Sequence, residues 1–412
     1  MYANGEFKFY RILTSMILGS FIIYSSLYWV QPLIMLFSKS FNQSLASASL
    51  VLSITTIALA LALLFAPFIS NNLGRKNTMV LSLLLTSLFN MFSMVIDDFY
   101  WLLFMRFLIG ICISGFLASV ITYLIEEVDR ERVGRVVGIY VAGTALGGVL
   151  ARIISSLLAE HYGLSTVAVI IGGATLIASL LFWIMLPQST NFTERTYTLI
   201  HLKNGFITSF LENKIRYIYI SHFFTIGIYT SVLNYISYPL TEPPYSLNQT
   251  EIGLFYFATL SGVIGSLIFG RLIGKFFDIS LYRISLLIMV VGAILTTTNM
   301  LWLVITGLII FAFGIFASNT IASNWIANKA PSTHKTEANS LYSIFYYLGS
   351  SIIGWLSGYL LLFFGWSIFI FLLSGLLFLM VFLLRGKKHD LELEDNQYHK
   401  KIGKCHIKVR GQ

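Results

Sequence analysis

Charge is scarce in this chain. Asp, Glu, Lys and Arg make up 11% of its 412 residues, against roughly 25% in a soluble globular domain. With 57% of residues hydrophobic, there is more apolar surface than one water-soluble core of this length can bury. Cysteine is nearly absent: Cys112 in an apolar run and Cys405 in the tail give no disulfide framework. No short apolar run with the features of a cleavable signal is evident. No Walker loop occurs, which excludes ATP as a driver. Nothing pairs a nucleophile with a base, so no enzyme activity, cofactor or metal is expected. Nor does any Asp or Glu stand in the middle of an apolar run.

What is present is a series of apolar segments of spanning length. Twelve stand out, at 12–34, 46–68, 77–96, 101–124, 135–158, 165–187, 216–240, 251–272, 283–299, 301–325, 338–362 and 366–385. Most hold about twenty mainly apolar residues, the length a helix needs to cross ~30 Å of hydrocarbon. The predicted class is therefore an all-α membrane protein of twelve transmembrane helices. The termini and alternate loops hold 24 of the 27 Lys and Arg, the opposite loops hold Lys39, and Arg106 and Arg152 lie inside spans. By the positive-inside rule both termini are expected in the cytoplasm. The net charge of +9 thus reports topology rather than nucleic acid. The basic tail is either a solvated topology anchor or a contact to anionic lipid headgroups.

Half the chain length, 206 residues, recurs as a spacing. Tyr28-Trp-Val-Gln31-Pro32-Leu33 returns as Tyr235-Ile-Ser-Tyr238-Pro239-Leu240 at an offset of 207. Asn42-Gln43-Ser44 returns as Asn248-Gln249-Thr250, and Ile139-Tyr140-Val-Ala-Gly143-Thr144 as Phe345-Tyr346-Tyr-Leu-Gly349-Ser350, both at 206. The chain therefore divides into a six-helix half at 1–187, a polar cytoplasmic linker at 188–215, a second six-helix half at 216–385 and a tail at 386–412. Two parallel repeats around a central cavity make an alternating-access architecture.

The hairpin from Trp101 to Glu160 carries the two buried cations. A cationic side chain at membrane depth costs at least roughly 2.5–3.5 kcal/mol, so it usually faces a polar interior. On antiparallel arms, at 1.5 Å rise per residue, Arg106 and Arg152 lie about 8–9 Å in from the same end. Both are expected to bind the anionic end of a ligand; the plainer role is snorkelling to the interface. Tyr24, Tyr28 and Gln31 share one helical face, and the seventh span supplies Tyr229, Asn234 and Tyr235. Some of these belong to aromatic girdles and the others are expected to line the cavity. Gly138, Gly143, Gly147 and Gly148 form a row of small residues suited to close helix crossing. The titratable candidates for proton coupling are Glu126, Glu127 and His222, the last either coupling or merely packing.

Pro67-Phe-Ile-Ser-Asn71-Asn-Leu-Gly74-Arg75-Lys76, Arg106-Phe-Leu-Ile-Gly110 and Gly143-Thr144-Ala-Leu-Gly147-Gly148, in that order, resemble the major facilitator superfamily. Within it the chain is most similar to the twelve-helix drug:proton antiporter branch. Tyr-x-x-Gln-Pro in the first span, Tyr123-Leu-Ile-Glu126-Glu127 and Gly147-Gly148-x-x-x-Arg152 resemble the group of bacterial efflux proteins that includes YnfM and AraJ. The resemblance implies that Asn71, Gly74, Arg75 and Lys76 gate the cytoplasmic end, with Pro67 and Asn71 replacing the family's Gly and Asp. It implies that Thr144 replaces the proline of the antiporter motif, and that Arg106 serves proton coupling.

The expected function is a secondary, proton-coupled exporter in a bacterial cytoplasmic membrane, monomeric among its lipids. Cations without a buried carboxylate favour a small polar or amphiphilic substrate bearing an anionic group, such as an amino-acid-like compound, a metallophore or a drug. The alternatives are an uptake carrier for a small metabolite, or a lipid flippase.

Overall fold

The computed structural model describes residues 2–190, 199–331 and 333–386. Most of the expected tail, with Cys405, and Arg195 of the linker lie outside them. The described residues are helical, with no β-strand among them. In chain order the first helices are α1 (Tyr2–Tyr28), α2 (Ile34–Ser40), α3 (Leu45–Ala62), α4 (Ala66–Leu73), α5 (Arg75–Phe92), α6 (Phe99–Glu127) and α7 (Arg130–Met185). They are followed by α8 (Leu199–Leu211), α9 (Asn213–Tyr235), α10 (Ser237–Thr241), α11 (Gln249–Leu254) and α12 (Ser261–Leu272). The last are α13 (Asp278–Leu295), α14 (Leu301–Lys329) and α15 (Lys335–Gly386).

Among the described residues, eight helical segments are long and apolar enough to cross a membrane, and two of them run to 55 and 50 residues. At 1.5 Å per residue either would be over twice as long as the hydrocarbon is thick. Each is broken once, at Gly163 (φ 79°, ψ 170°) in α7 and at Gly365 (φ 70°, ψ 175°) in α15. A side chain is strained at such a φ, and glycine is not, so the chain reverses there. The expected boundary between the spans at 135–158 and 165–187 falls on this turn.

Other expected spans are continuous in sequence but not in helix type. The first passes from α1 through a 3-10 turn at Gln31–Leu33 into α2, with Pro32 inside the turn. The eighth is α11, a 3-10 stretch at Phe255–Leu260, and α12. Asp98 caps α6 by accepting from the Trp101 N–H at 2.7 Å. Asn248 and Glu251 close a capping box at α11.

α1 packs along α7, α5 on α6 and α7, and α3 on α6, while α9 packs along α15 and α14 on α12 and α13. The two sets meet where α3 lies against α15 and α11 against α7. The outward faces stay apolar, with Phe363 80% and Ile184 71% exposed. An apolar belt of this extent calls for lipid rather than water.

Candidate functional site

The glycine row shows how closely α1 and α7 approach. A Cβ on Gly143 would sit 2.1 Å from Ser20 Oγ, and one on Gly147 would sit 2.8 Å from the Phe21 Cα. Both are true packing glycines. Gly138 is not: nothing lies within 4 Å of its missing Cβ. Gly148 serves differently, since its Cβ would meet Arg152 Nη1 at 3.1 Å. It leaves room for a guanidinium.

That guanidinium lies in a cavity of about 600 Å³ between α1, α7, α9, α14 and α15. Tyr24, Tyr28, Tyr140, Tyr229, Tyr342 and Tyr346 line it, with Asn319 and Asn324 as polar groups and, among the described residues, Arg152 as the single charged residue of its wall. The Arg152 Cζ stands 4.1 Å from the Tyr28 ring centroid and 5.4 Å from that of Tyr256. Faces of this kind hold a cation by about 0.5–2 kcal/mol each. Arg152 Nη1 donates to the Gly148 carbonyl at 2.8 Å and Nε to Gln31 Oε1 at 2.7 Å. Nη2 makes no hydrogen bond among the described residues. From Arg152 the cavity runs toward Val141 and Ala327, both exposed, at the end of the bundle where the basic loops lie.

The opposite end is sealed. Gln31 Nε2 donates to Asn234 Oδ1 at 2.8 Å, joining the first span to α9. Gln249 Nε2 donates to the Pro32 carbonyl at 3.0 Å and to Ser156 Oγ at 3.2 Å. Gln31 and Asn234 are therefore buried behind Arg152, each 1% exposed, rather than part of the cavity wall. Beyond the span at 135–158, at the exposed turn around Gly163, the Thr250 N–H donates to Glu160 at 2.6 Å, and Thr250 holds that carboxyl below the usual carboxylate range.

The expected arginine pair is not brought together. Arg106 does not line the cavity. It is fully buried, donating from Nε to Val51 O at 2.9 Å, from Nη1 to Ser26 O at 2.8 Å and from Nη2 to Leu27 O at 2.9 Å. Three bonds from a charged donor, worth about 1.5–3 kcal/mol each, offset the roughly 2.5–3.5 kcal/mol of placing it there. Arg106 ties α6 to the end of α1 and to α3. Tyr235 also turns away, giving its hydroxyl to the Gly354 carbonyl at 2.9 Å and its ring to Phe369.

The motif residues cluster at the basic end. Gly74 turns the chain at φ 81° between α4, which carries Asn71, and α5. Arg75 Nη1 donates to Ser70 Oγ at 2.9 Å, Nη2 stands 3.5 Å from Glu126 Oε1, and Lys76 is buried beside them. Glu127 takes Lys8 Nζ at 2.8 Å and the Thr190 N–H at 2.6 Å. Both carboxylates thus serve as ties between elements outside the cavity. His222 is buried with its ring centroid 5.2 Å from Tyr342 and 5.9 Å from Tyr346, and Tyr282 Oη stands 3.5 Å from Nδ1.

Sequence reasoning passed over Tyr140 and Tyr346 as site residues, although they are a matched pair of the 206-residue repeat and both line the cavity. Tyr256, which covers one face of Arg152, carried no comparable signal. A second groove of about 630 Å³ lies on the outward face between residues 247–264 and α14. Its walls are apolar apart from Glu251 and Ser261, and no polar groups converge in it, so the central cavity is the candidate site.

The sequence profile of the Major Facilitator Superfamily matches residues 16–275 and 218–402. An uncharacterized transporter of Buchnera aphidicola subsp. Schizaphis graminum is 35% identical over 382 residues, 92% of each chain. The inner membrane transport protein YnfM of Escherichia coli is 32% identical, over 88% of this chain and 87% of YnfM. The nucleoside transporter NupG shares the fold with a TM-score of 0.78 over 92% of this chain and 99% of its own, at 13% identity. This chain, a multi-pass membrane transporter and not an enzyme, belongs to the Major Facilitator Superfamily.

Proposed function

We propose that this transporter exports a small polar or amphiphilic molecule bearing an anionic group, by secondary active transport across a bacterial cytoplasmic membrane. The observation that carries the reading is Arg152. Among the described residues it is the one charge in an aromatic cavity wall that holds no carboxylate, and its Nη2 is left without a partner there. A carboxylate on this guanidinium makes charge-assisted hydrogen bonds, while the tyrosines take the apolar body of the molecule. Amino-acid-like compounds and metal-chelating metabolites fit this lining better than cationic dyes.

The architecture supporting this is a chain of twelve crossings. Beside the eight apolar segments, the turns at Gly163 and Gly365 double two of them, and α5 and α9 add two more. The halves are 1–187 and 216–385, joined by the linker at 188–215, and the basic loops put both termini in the cytoplasm. In that orientation the cavity faces inward and the seal at Gln31, Asn234 and Gln249 is the outer one. The resemblance to drug:proton antiporters supports proton coupling, and an uncoupler is expected to stop export from energised cells.

The test begins with metabolite profiling of medium from cells with and without the protein, which identifies the exported compound. Binding of that compound to purified protein is then compared with binding of its carboxamide. Tight binding of the anion, weak binding of the amide and loss of the difference in Arg152→Ala are expected. Equal binding of both by wild type would overturn the reading.

A further inference from the structure

Arg152, Gln31 and Asn234 form one directed chain of hydrogen bonds across the two halves. Arginine only donates, so its Nε fixes the Gln31 oxygen toward itself and the Gln31 amide nitrogen toward Asn234. That leaves Asn234 Nδ2 buried with no partner among the described residues. An unmet buried donor costs about 1–3 kcal/mol, so the closed arrangement is held but not deeply.

We propose that Gln31 is the positioning residue through which a bound anion releases the outer seal. This rests on the reading of Arg152 as the anion's anchor. A carboxylate that makes two parallel bonds to a guanidinium needs both nitrogens of one edge. Nη2 is open. Nη1 spends one of its two N–H groups on the carbonyl of Gly148, one turn back in its own helix, a group that cannot swing away. Nε has a single N–H, and it holds the side-chain oxygen of Gln31, which can rotate. A carboxylate that takes the side edge, Nε with Nη2, displaces Gln31.

Displacement has a consequence beyond the site. Gln31 Nε2 is the link to Asn234 on α9, so losing the arginine frees the amide and breaks the bond between halves. Gln31 also begins the 3-10 turn whose Pro32 carbonyl receives Gln249, so its movement loosens the next contact of the seal. Occupancy is thereby read out as outer opening. The fold does not require the chain: one repeat on, Arg152 corresponds to Gly358 and Gln31 to Tyr238.

The test uses substrate-free protein in lipid nanodiscs. Spin labels sit at Ser40→Cys and Glu242→Cys, exposed positions on opposite sides of the seal, with Cys112→Ser and Cys405→Ser as background. Pulsed dipolar distances then report the outer side. Gln31→Ala is expected to raise the ratio of open to closed populations about five-fold, the worth of one net hydrogen bond. Asn234→Ala, altering the other helix, is expected to do the same and carries the test if Gln31→Ala fails to fold. Gln31→Glu should shift the ratio the other way, because a carboxylate grips Arg152 and gives the orphaned Asn234 amide an acceptor. An unchanged distribution in both alanine variants, or opening by Gln31→Glu, would overturn the proposal. These readings need no substrate. Failure of the anion reading therefore appears in the amide comparison alone, and failure of the seal appears in the distances alone.

Discussion

The hydroxyl of Ser25 donates to the carbonyl oxygen of Gly147 at 3.2 Å, fastening α1 to α7 at the Gly147 crossing. The same bond recurs 206 residues on, from Ser231 to the Ile353 carbonyl at 3.3 Å. At this crossing the small residue changes sides. Gly147 faces the backbone of Phe21, whereas Ile353 faces Gly227, with 2.5 Å between its Cβ and the missing Cβ of Gly227. A crossing needs one small partner, and which helix supplies it is free.

Gly143→Leu and Gly147→Leu are therefore expected to abolish transport while the protein still inserts. Overpacking of this kind costs about 1–3 kcal/mol, enough to stop two helices sliding. Gly138→Leu, in open space, is the internal control and should transport normally. Membrane abundance by immunoblot and export of the identified compound check all three.

The two buried arginines should separate by phenotype. Arg106→Ala removes three carbonyl bonds and leaves a void among α1, α3 and α6, so it is expected to lower melting temperature and abundance sharply. Arg152→Ala should leave melting within a few degrees of wild type and remove anion binding. Arg152→Lys keeps the charge but loses the planar fork, and is expected to weaken binding by about ten-fold. Thermal melting in detergent and ligand titration distinguish the two sites.

The closed outer side should depend on pH through Glu160. Thr250 lowers its pKa in the closed state, so the contact favours closure above the ordinary carboxylate pKa of 4.5 and is lost as pH falls through the lowered value. Acidification below that range is expected to raise the open population between labels at Ser40→Cys and Glu242→Cys. Glu160→Gln should be partly open already at neutral pH and flat across the titration. A pH response surviving in Glu160→Gln would assign it elsewhere.

Much of this was open to sequence reading because it depends on distance along the chain. Span length is a one-dimensional quantity, and it marks the boundary between the spans at 135–158 and 165–187, where the helix breaks at Gly163. The fate of the two arginines is not one-dimensional. Their matching depth follows from counting residues, but each step along a helix also rotates a side chain by about 100°. That rotation turns Arg106 onto three backbone carbonyls and Arg152 into the cavity. Gln31, Asn234 and Tyr235 show the same limit, since tyrosines and amides at cavity depth face either the cavity or the helix behind it.

A cavity wall with one cation also has an electrical meaning. When the carrier is empty, Arg152 is exposed to whichever compartment the cavity joins, and reversing that access moves its charge through part of the membrane field. A whole elementary charge moved across 100 mV is worth about 2.3 kcal/mol. On the proposed export of an anion, a negative cell interior would hold the empty protein inward-facing, and a bound anion would neutralise the site so that the loaded protein turns without opposition from the field. A transient current in substrate-free proteoliposomes, absent in Arg152→Gln and suppressed by the bound compound, is the corresponding signal.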